Sequence, residues 1–349
     1  VLTGDDMARW HATLEDPVSL DYGRYTVFKC GAWTQGPVLL QQLALLRNFD
    51  LAAMDPLGPD FVHTVVECAK LAFADREGFY ADPEFVDVPL AGLLSPAYNR
   101  ARAELVGARA SRELRVGTVD GRQGWQPPAP GQRAALVPEF AAATAGEPTV
   151  RRDGATAGDT CHIDVIDRWG NMVSATPSGG WLQSSPTIPE VGFCLGTRMQ
   201  MFWLDESAPT ALMPSRRPRS TLSPSFAYRD GKPYMAFGTP GGDQQDQWAL
   251  TFFVRHAHHN LNTQEAIEAP AFTSEHWPNS FWPRAAKPAR LLVEGRMPKA
   301  TVTELERRGH EVEVGTDWSL GRLSAVTRDG DVYKAGANPR GMQGYAVGR

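Results

Sequence analysis

A threonine at the mouth of a strand is the first place in this sequence where chemistry can be read. Gly158-Asp159 closes a long polar stretch rich in proline and glycine. Thr160-Cys161-His162-Ile163-Asp164-Val165-Ile166-Asp167 then begins a run with strand character, which turns at Trp169-Gly170-Asn171 and resumes from Met172 to Thr176. A threonine hydroxyl is a weak nucleophile. It gains a base when the bond before it is cut, because the freed amine then stands beside the hydroxyl of the same residue. The chemistry to expect is attack on an amide carbonyl, an acyl-threonine ester, and release of the acyl group to water or an amine. On spacing alone Thr160 also reads as an ordinary β-branched strand residue. Cys161 points to the opposite face of the same strand, so packing is its preferred role. A second cluster, His256-Ala257-His258-His259, puts His256 and His259 on one helical face. No carboxylate completes an HExxH arrangement, and surface or core histidine is the preferred reading there. No GxSxG elbow, P-loop or Rossmann glycine pattern is present.

The residues around Thr160 resemble the γ-glutamyltransferase family of N-terminal nucleophile hydrolases. Thr160-Cys161-His162 stands where that family has Thr-Thr-His, and Asp167-Arg168-Trp169-Gly170-Asn171 matches its Asp-(Lys/Arg)-x-Gly-Asn turn. Two further blocks follow in the family's order, Arg217-Pro218-Arg219-Ser220-Thr221-Leu222-Ser223-Pro224 and Gly238-Thr239-Pro240-Gly241-Gly242-Asp243. Ahead of Thr160, Leu2-Thr3 with Asp5-Asp6, the helix near Leu39 to Phe49, and Asp82-Pro83-Glu84-Phe85-Val86 also match, so the resemblance extends to about Arg340.

The resemblance implies an α+β chain with the four-layer αββα sandwich of the N-terminal nucleophile hydrolases. It implies self-cleavage between Asp159 and Thr160. Residues 1–159 would be the C-terminal part of a large α subunit, mainly helical with a flexible tail at about 117–159. Residues 160–349 would be a small β subunit that begins at the nucleophile. The product would be an α/β heterodimer, with further oligomerisation left open, and full members of the family carry a long segment ahead of the Leu2-Thr3 position. By the same resemblance Thr160 is the nucleophile and Gly241-Gly242 form the oxyanion hole, where bare backbone N–H groups can approach a developing charge. Ser178 supplies a hydroxyl beside the nucleophile, and Ser220 and Thr221 bind a substrate carboxylate. No metal or organic cofactor is implied.

The departures from the family pattern are as informative as the matches. Gly180, Arg198 and Met201 stand where the family's glutamyl pocket has Asn, Gln and Asp. The family Asp receives the glutamyl α-ammonium, and a buried ammonium without it is poorly compensated. Arg198 and Arg219 add positive charge instead, which suits an acid group. The expected activity is therefore hydrolysis of a small acidic amide other than a γ-glutamyl amide. The alternatives are a genuine γ-glutamyltransferase or glutathione hydrolase, a non-catalytic remnant of the family, and a metal hydrolase built on the histidine cluster. Trp277, Phe281 and Trp282 with Arg284 either rim an acyl pocket or pack a loop.

These residues need elements to hold them. A strand at Arg24–Lys29 precedes a mainly helical first part. Pro37 suits a helix N1 position, Asp60 is placed to cap a second helix, and a third follows Ser95-Pro96 to about Val106. From Thr160 the period changes to two, predicting strands at 161–167, 172–177, 222–228, 233–238 and 323–333, with helices at 245–259, 263–268 and 298–308. Arg229-Asp230-Gly231-Lys232 reads as a hairpin turn.

The chain has 349 residues, 42% of them hydrophobic and 21% charged, as a globular protein with a sizeable core requires. Its net charge of −5 and lack of a Lys/Arg block disfavour nucleic acid as a partner. No run approaches the roughly 18 apolar residues of a membrane span, no secretory signal opens the chain, and the partner expected is a small-molecule amide. Cysteines at 30, 68, 161 and 194 form no CxxC pair, which fits reduced thiols and a cytoplasmic setting.

Overall fold

A computed structural model of the chain describes residues 3–129, 160–179, 187–190, 192–342 and 344–348. Ahead of Thr160 lie α1 (Gly4–Arg9), β1 (Val18–Tyr22), β2 (Tyr25–Lys29), α2 (Pro37–Leu46), α3 (Pro59–Phe79), α4 (Leu90–Leu93), α5 (Pro96–Ala103), β3 (Thr118–Val119) and β4 (Arg122–Gln123). After it come β5 (Ile163–Ile166), β6 (Met172–Ala175), β7 (Thr187–Ile188), β8 (Phe193–Cys194), β9 (Ser225–Arg229) and β10 (Lys232–Gly238). The chain continues through α6 (Gln245–His259), α7 (Thr263–Glu268), β11 (Phe272–Ser274), β12 (Arg290–Val293), α8 (Lys299–Arg307), β13 (Glu311–Val314), β14 (Ser324–Asp329) and β15 (Val332–Ala337).

The central sheet runs β1-β2-β9-β10-β14-β15, every neighbour antiparallel. Segments from both sides of Thr160 thus share one sheet: Val27 of β2 lies opposite Ala227 of β9. Strand β2 alternates buried and half-buried positions, whereas β10 is buried at every residue from Tyr234 to Gly238. A strand buried on both faces must be covered on both. Helices α2 and α6 cover one face, with α3 packed behind α2, and the β5–β6 hairpin covers the other where it meets β10 and β14. A second sheet, β11-β12-β13, is closed by a parallel β12–α8–β13 crossover.

Local chemistry explains most boundaries. Asp230 and Gly231 both have positive φ (53° and 75°), the pair of left-handed residues that a two-residue hairpin turn demands. Helix α5 starts where the Ser95 hydroxyl accepts from the Tyr98 amide. Helix α3 instead starts with Pro59 behind Gly58, so Asp60 is not the cap. It sits in the first turn, where its charge meets the positive helix end and Arg308.

Three other expectations need correction. Strand β1 precedes β2 and forms the sheet edge. The expected strand 323–333 is a hairpin, β14–β15, that turns at Gly330. Part of the expected flexible tail is tied down: the Gly117 amide donates to Asp75 at 2.8 Å, and Trp125 packs edge-on against Trp203 with ring centroids 4.9 Å apart. The rest of that tail, 130–159, lies outside the described residues, as does Asp159.

The core is built around α3, which is buried from Phe61 to Phe79. Trp277 stacks on Phe73 with centroids 3.9 Å apart, so this part of the aromatic loop is packing. Burying such a side chain is worth roughly 1.5–3 kcal/mol. The charged residues of α3 are carried into the interior only as pairs: Lys70 with Glu67, Asp75 with Arg102, Arg76 with Asp243, and Glu77 with Arg219. Among the described residues no helix is long and apolar enough to cross a membrane. The four cysteines are free thiols.

Candidate active site

Hairpin register brings the first pair of site residues together. Ile163 lies opposite Ala175 and Ile166 opposite Met172, around a turn in which the Asp167 carboxylate accepts from the Trp169 and Asn171 amides. Pairing continues past the strand ends, because the Cys161 amide donates to the Pro177 carbonyl at 3.1 Å. Thr160 and Ser178 therefore meet across the open end of the hairpin. Thr160 Oγ1 donates to Ser178 Oγ at 2.8 Å, and Arg198 Nη2 donates to the same oxygen at 2.9 Å. A guanidinium thus stands one hydroxyl away from the threonine. Arg198 is half-buried over the Phe281 ring, 5.5 Å from its centroid, and its Nη1 reaches Met201 Sδ at 3.9 Å. Met201 is fully buried and offers a thioether at that position.

Thr160 also borders a cavity of about 560 Å³, together with His162, Asp164, Pro240, Arg322, Ser324 and Asn338. Ser178 and Arg198 are not in its lining. Pro240 ties this space to the glycine pair that follows it. Gly241 has φ +129°, where an L side chain is strained, and a Cβ there falls 2.6 Å from the Trp248 ring. Gly242 has φ +53°. The loop is held from behind. Gln35 Nε2 donates to the Gly242 carbonyl at 3.0 Å. The Asp243 carboxylate accepts from Arg76 at 2.5 Å, from Ser280 Oγ at 2.6 Å and from the Ser280 amide at 2.7 Å.

Arg219, expected to meet a substrate acid, does something else. It is 1% exposed, pairs with Glu77 at 2.8 Å and donates to Ser280 Oγ at 3.0 Å. An arginine this deep is spent on neutralising Glu77 and bracing the Asp243 loop, so the substrate-binding expectation for it is corrected. Burial works against the Glu77 charge, yet the Arg219 and Arg76 guanidiniums hold its carboxyl below the usual range. Burial also pulls Arg284 down to about 10, where it donates to the Phe202 carbonyl at 2.8 Å and lies over the Trp203 ring. Ser220 is tied into backbone pairing with Trp33 and Gln35, and its hydroxyl accepts from the Leu222 amide. Thr221 is buried and its hydroxyl has no hydrogen-bond partner among the described residues. Gly180 lies outside the described residues.

Two histidines of α6 are structural: His256 bonds the Leu261 carbonyl and the Tyr234 hydroxyl, and His258 bonds the Tyr22 hydroxyl, while His259 packs edge-on against Phe61. Elsewhere His63, Glu67 and His310 lie close enough to share an ion, but Glu67 already serves Lys70 and Arg115. Placing a dication there adds charge to a buried site whose single carboxylate is paired twice.

Sequence reading missed three participants. Gln35 carries no local signal. Asp164 and His162 had one: in a strand of period two, both share a face with Thr160.

Known proteins match the chain end to end. The family model described as gamma-glutamyltranspeptidase covers residues 1–348. The glutathione hydrolase-like YwrD proenzyme of Bacillus subtilis (strain 168) is 30% identical over 352 aligned residues, covering 99% of this chain and 58% of that protein. The oxamate amidohydrolase proenzyme of Klebsiella pneumoniae is 27% identical, with the same 99% and 58% coverage. The solved structure of LmbA2991T421A is 53% identical with a TM-score of 0.88, over 100% of this chain and 58% of that one. The cephalosporin acylase from Bacillus halodurans is 26% identical with a TM-score of 0.76, over 97% of this chain and 54% of its own. The chain spans a little over half the length of these relatives.

Proposed function

The chain belongs to the gamma-glutamyltranspeptidase family, with the N-terminal nucleophile hydrolase fold, and from that premise we propose that it is a self-processing threonine amidohydrolase. Its substrate is an amide of a small acid that lacks the glutamyl α-ammonium. The observation that carries this reading is the chain Thr160–Ser178–Arg198, closed by a buried Met201.

In the uncut chain the nitrogen of Thr160 is an amide, whose lone pair is delocalised. Cutting the bond to Asp159 makes it an amine able to take the hydroxyl proton. Thr160 Oγ then attacks the substrate carbonyl and forms an ester. The N–H groups of Gly241 and Gly242 stabilise the tetrahedral oxyanion, and the leaving amine departs with a proton from the Thr160 ammonium. Water attacks the ester, releases the acid and restores the enzyme. Ser178 Oγ orients the nucleophile, and Arg198 beyond it holds an anionic group of the acyl part. Thr221 supplies a further hydroxyl. The proenzyme names of relatives support processing into two chains, and those called acylase and oxamate amidohydrolase support non-glutamyl amides within the family.

The test is intact-mass analysis of the full-length gene product followed by hydrolysis assays on the processed form. A set of dicarboxylic monoamides, oxamate among them, is expected to turn over faster than γ-glutamyl p-nitroanilide. The opposite order favours the second reading, a glutathione hydrolase, which several relatives' names support.

A further inference from the structure

We propose that His162 is a positioning residue for the Thr160 chemistry, setting the distance between the nucleophile hairpin and the strand that ends at the glycine pair. The proposal rests on the reading of Thr160 as nucleophile.

Three observations converge on the imidazole. Its side chain is 1% exposed, wedged between the hairpin and the sheet. Its ring lies directly over Gly238, the last residue of β10: a Cβ there falls 2.4 Å from Cε1, 2.7 Å from Nε2 and 3.0 Å from Nδ1. Gly238 is followed by Thr239-Pro240-Gly241-Gly242, so the ring thickness fixes how closely Thr160 approaches the oxyanion donors. Finally, both ring nitrogens are engaged. Nε2 lies 2.9 Å from Asp164 Oδ2, an acceptor, so it carries the proton. Nδ1 shares a hydrogen bond with the Thr176 hydroxyl at 2.7 Å. Both nitrogens are thus taken up by Asp164 and Thr176, which leaves placement as the role of the ring.

The bonds run to the parts that must be placed. Thr176 sits two residues before Ser178, on the same face as the hydroxyl that accepts the Thr160 hydrogen bond. Asp164 also accepts from Ser174 of β6 at 2.7 Å and from Ser324 of β14 at 3.0 Å, fastening the hairpin to the sheet. One ring thus spaces nucleophile, supporting serine and oxyanion loop together, and displacement of about 1 Å in such an array costs on the order of 100-fold in rate.

Self-cleavage before Thr160 reports on this geometry without an added substrate. The full-length chain and its variants are followed by intact mass, with melting temperature measured beside the rate. His162→Ala is expected to cut ~100-fold more slowly. His162→Gln, whose amide can still donate to Asp164, is expected to recover at least ~10-fold of that loss. Gly238→Ala keeps every hydrogen-bonding group but pushes the ring away, and is expected to slow cleavage ~100-fold while the chain stays folded. If His162→Ala fails to fold, the other two variants decide. Cleavage within about threefold of the unaltered chain in folded His162→Gln and Gly238→Ala alike, or rates that follow melting temperature alone, overturns the proposal. Failure of the underlying reading looks different: Thr160→Ala still cleaves, or the unaltered chain never does.

Discussion

Thr160 and Arg198 separate two questions that a single motif would merge, namely whether the chain reacts and on what. Thr160→Ala is expected to abolish both self-cleavage and turnover, since one hydroxyl serves both, while Thr160→Ser keeps some of each. Mass spectrometry of the purified chain checks the first, and amide hydrolysis the second. If the alanine variant matures and turns over, Cys161, exposed beside it, becomes the nucleophile to test. On the proposed reading, specificity lies with the residues beside Thr160. On that reading the buried Met201 stands where an ammonium would need a carboxylate, and loss of such a partner costs roughly 3–5 kcal/mol. That is a factor of more than about 100 in binding. The double change Met201→Asp and Arg198→Gln is expected to raise kcat/KM for γ-glutamyl p-nitroanilide by at least ~10-fold, and to lower it for dicarboxylic monoamides. An unchanged ratio between the two substrates in the double variant removes the assigned charge logic.

Among the elements, the loop from Gly241 to Asp243 joins the most parts of the molecule. Its glycine takes a conformation that an L side chain resists, its carbonyl is held by Gln35, and its aspartate is locked by Arg76 and Ser280. Gly241→Ala meets both the unfavourable φ and the Trp248 ring. It is expected to lower kcat by ~10²–10³, as loss of an oxyanion donor does, with a smaller change in KM. Trimming Trp248 in the same chain relieves the clash but not the φ, so kcat should stay low. Recovery there would show that sterics alone governed the loop. Asp243→Asn acts from the other side, leaving the Arg76 guanidinium short of its partner in the interior. A loss of about 3–5 kcal/mol in urea unfolding is expected.

At the scale of the whole molecule, stability is tied to acid by three histidines between α3 and the β11–β13 sheet. Burial lowers His276 and His310 to about 3, and lowers His63 in the same direction. All three are at most 4% exposed. Unfolded, each takes a proton near pH 6.5. For His276 and His310 that contribution is therefore complete above about pH 6.5 and falls as pH drops towards about 3, by up to ~1.4 kcal/mol per pH unit for each, with His63 acting in the same direction. Urea midpoints measured from pH 7 to pH 4 should fall with acid, and His276→Gln should make that fall shallower. A parallel pair of curves would mean that the His276 ring titrates in place.

The sequence alone was enough for what depends on neighbours along the chain. Periodicity marked α6 and α7 at their observed ends, Asp230-Gly231 marked the β9–β10 turn, and Thr160 stood out because a strand begins beside it. The ordered blocks were enough for the family. Strand β1 and the β11–β13 sheet escaped because short strands gain their identity from pairing partners far away, as β12 does from β13. The fate of the arginines was beyond the sequence for a stronger reason. Arg198 and Arg219 carry the same guanidinium, and only the fold sets one against Ser178 beside Thr160 and the other against the buried carboxylate of Glu77. A charge does its work through what lies within a few ångströms of it, and that is settled by packing between segments remote in the chain.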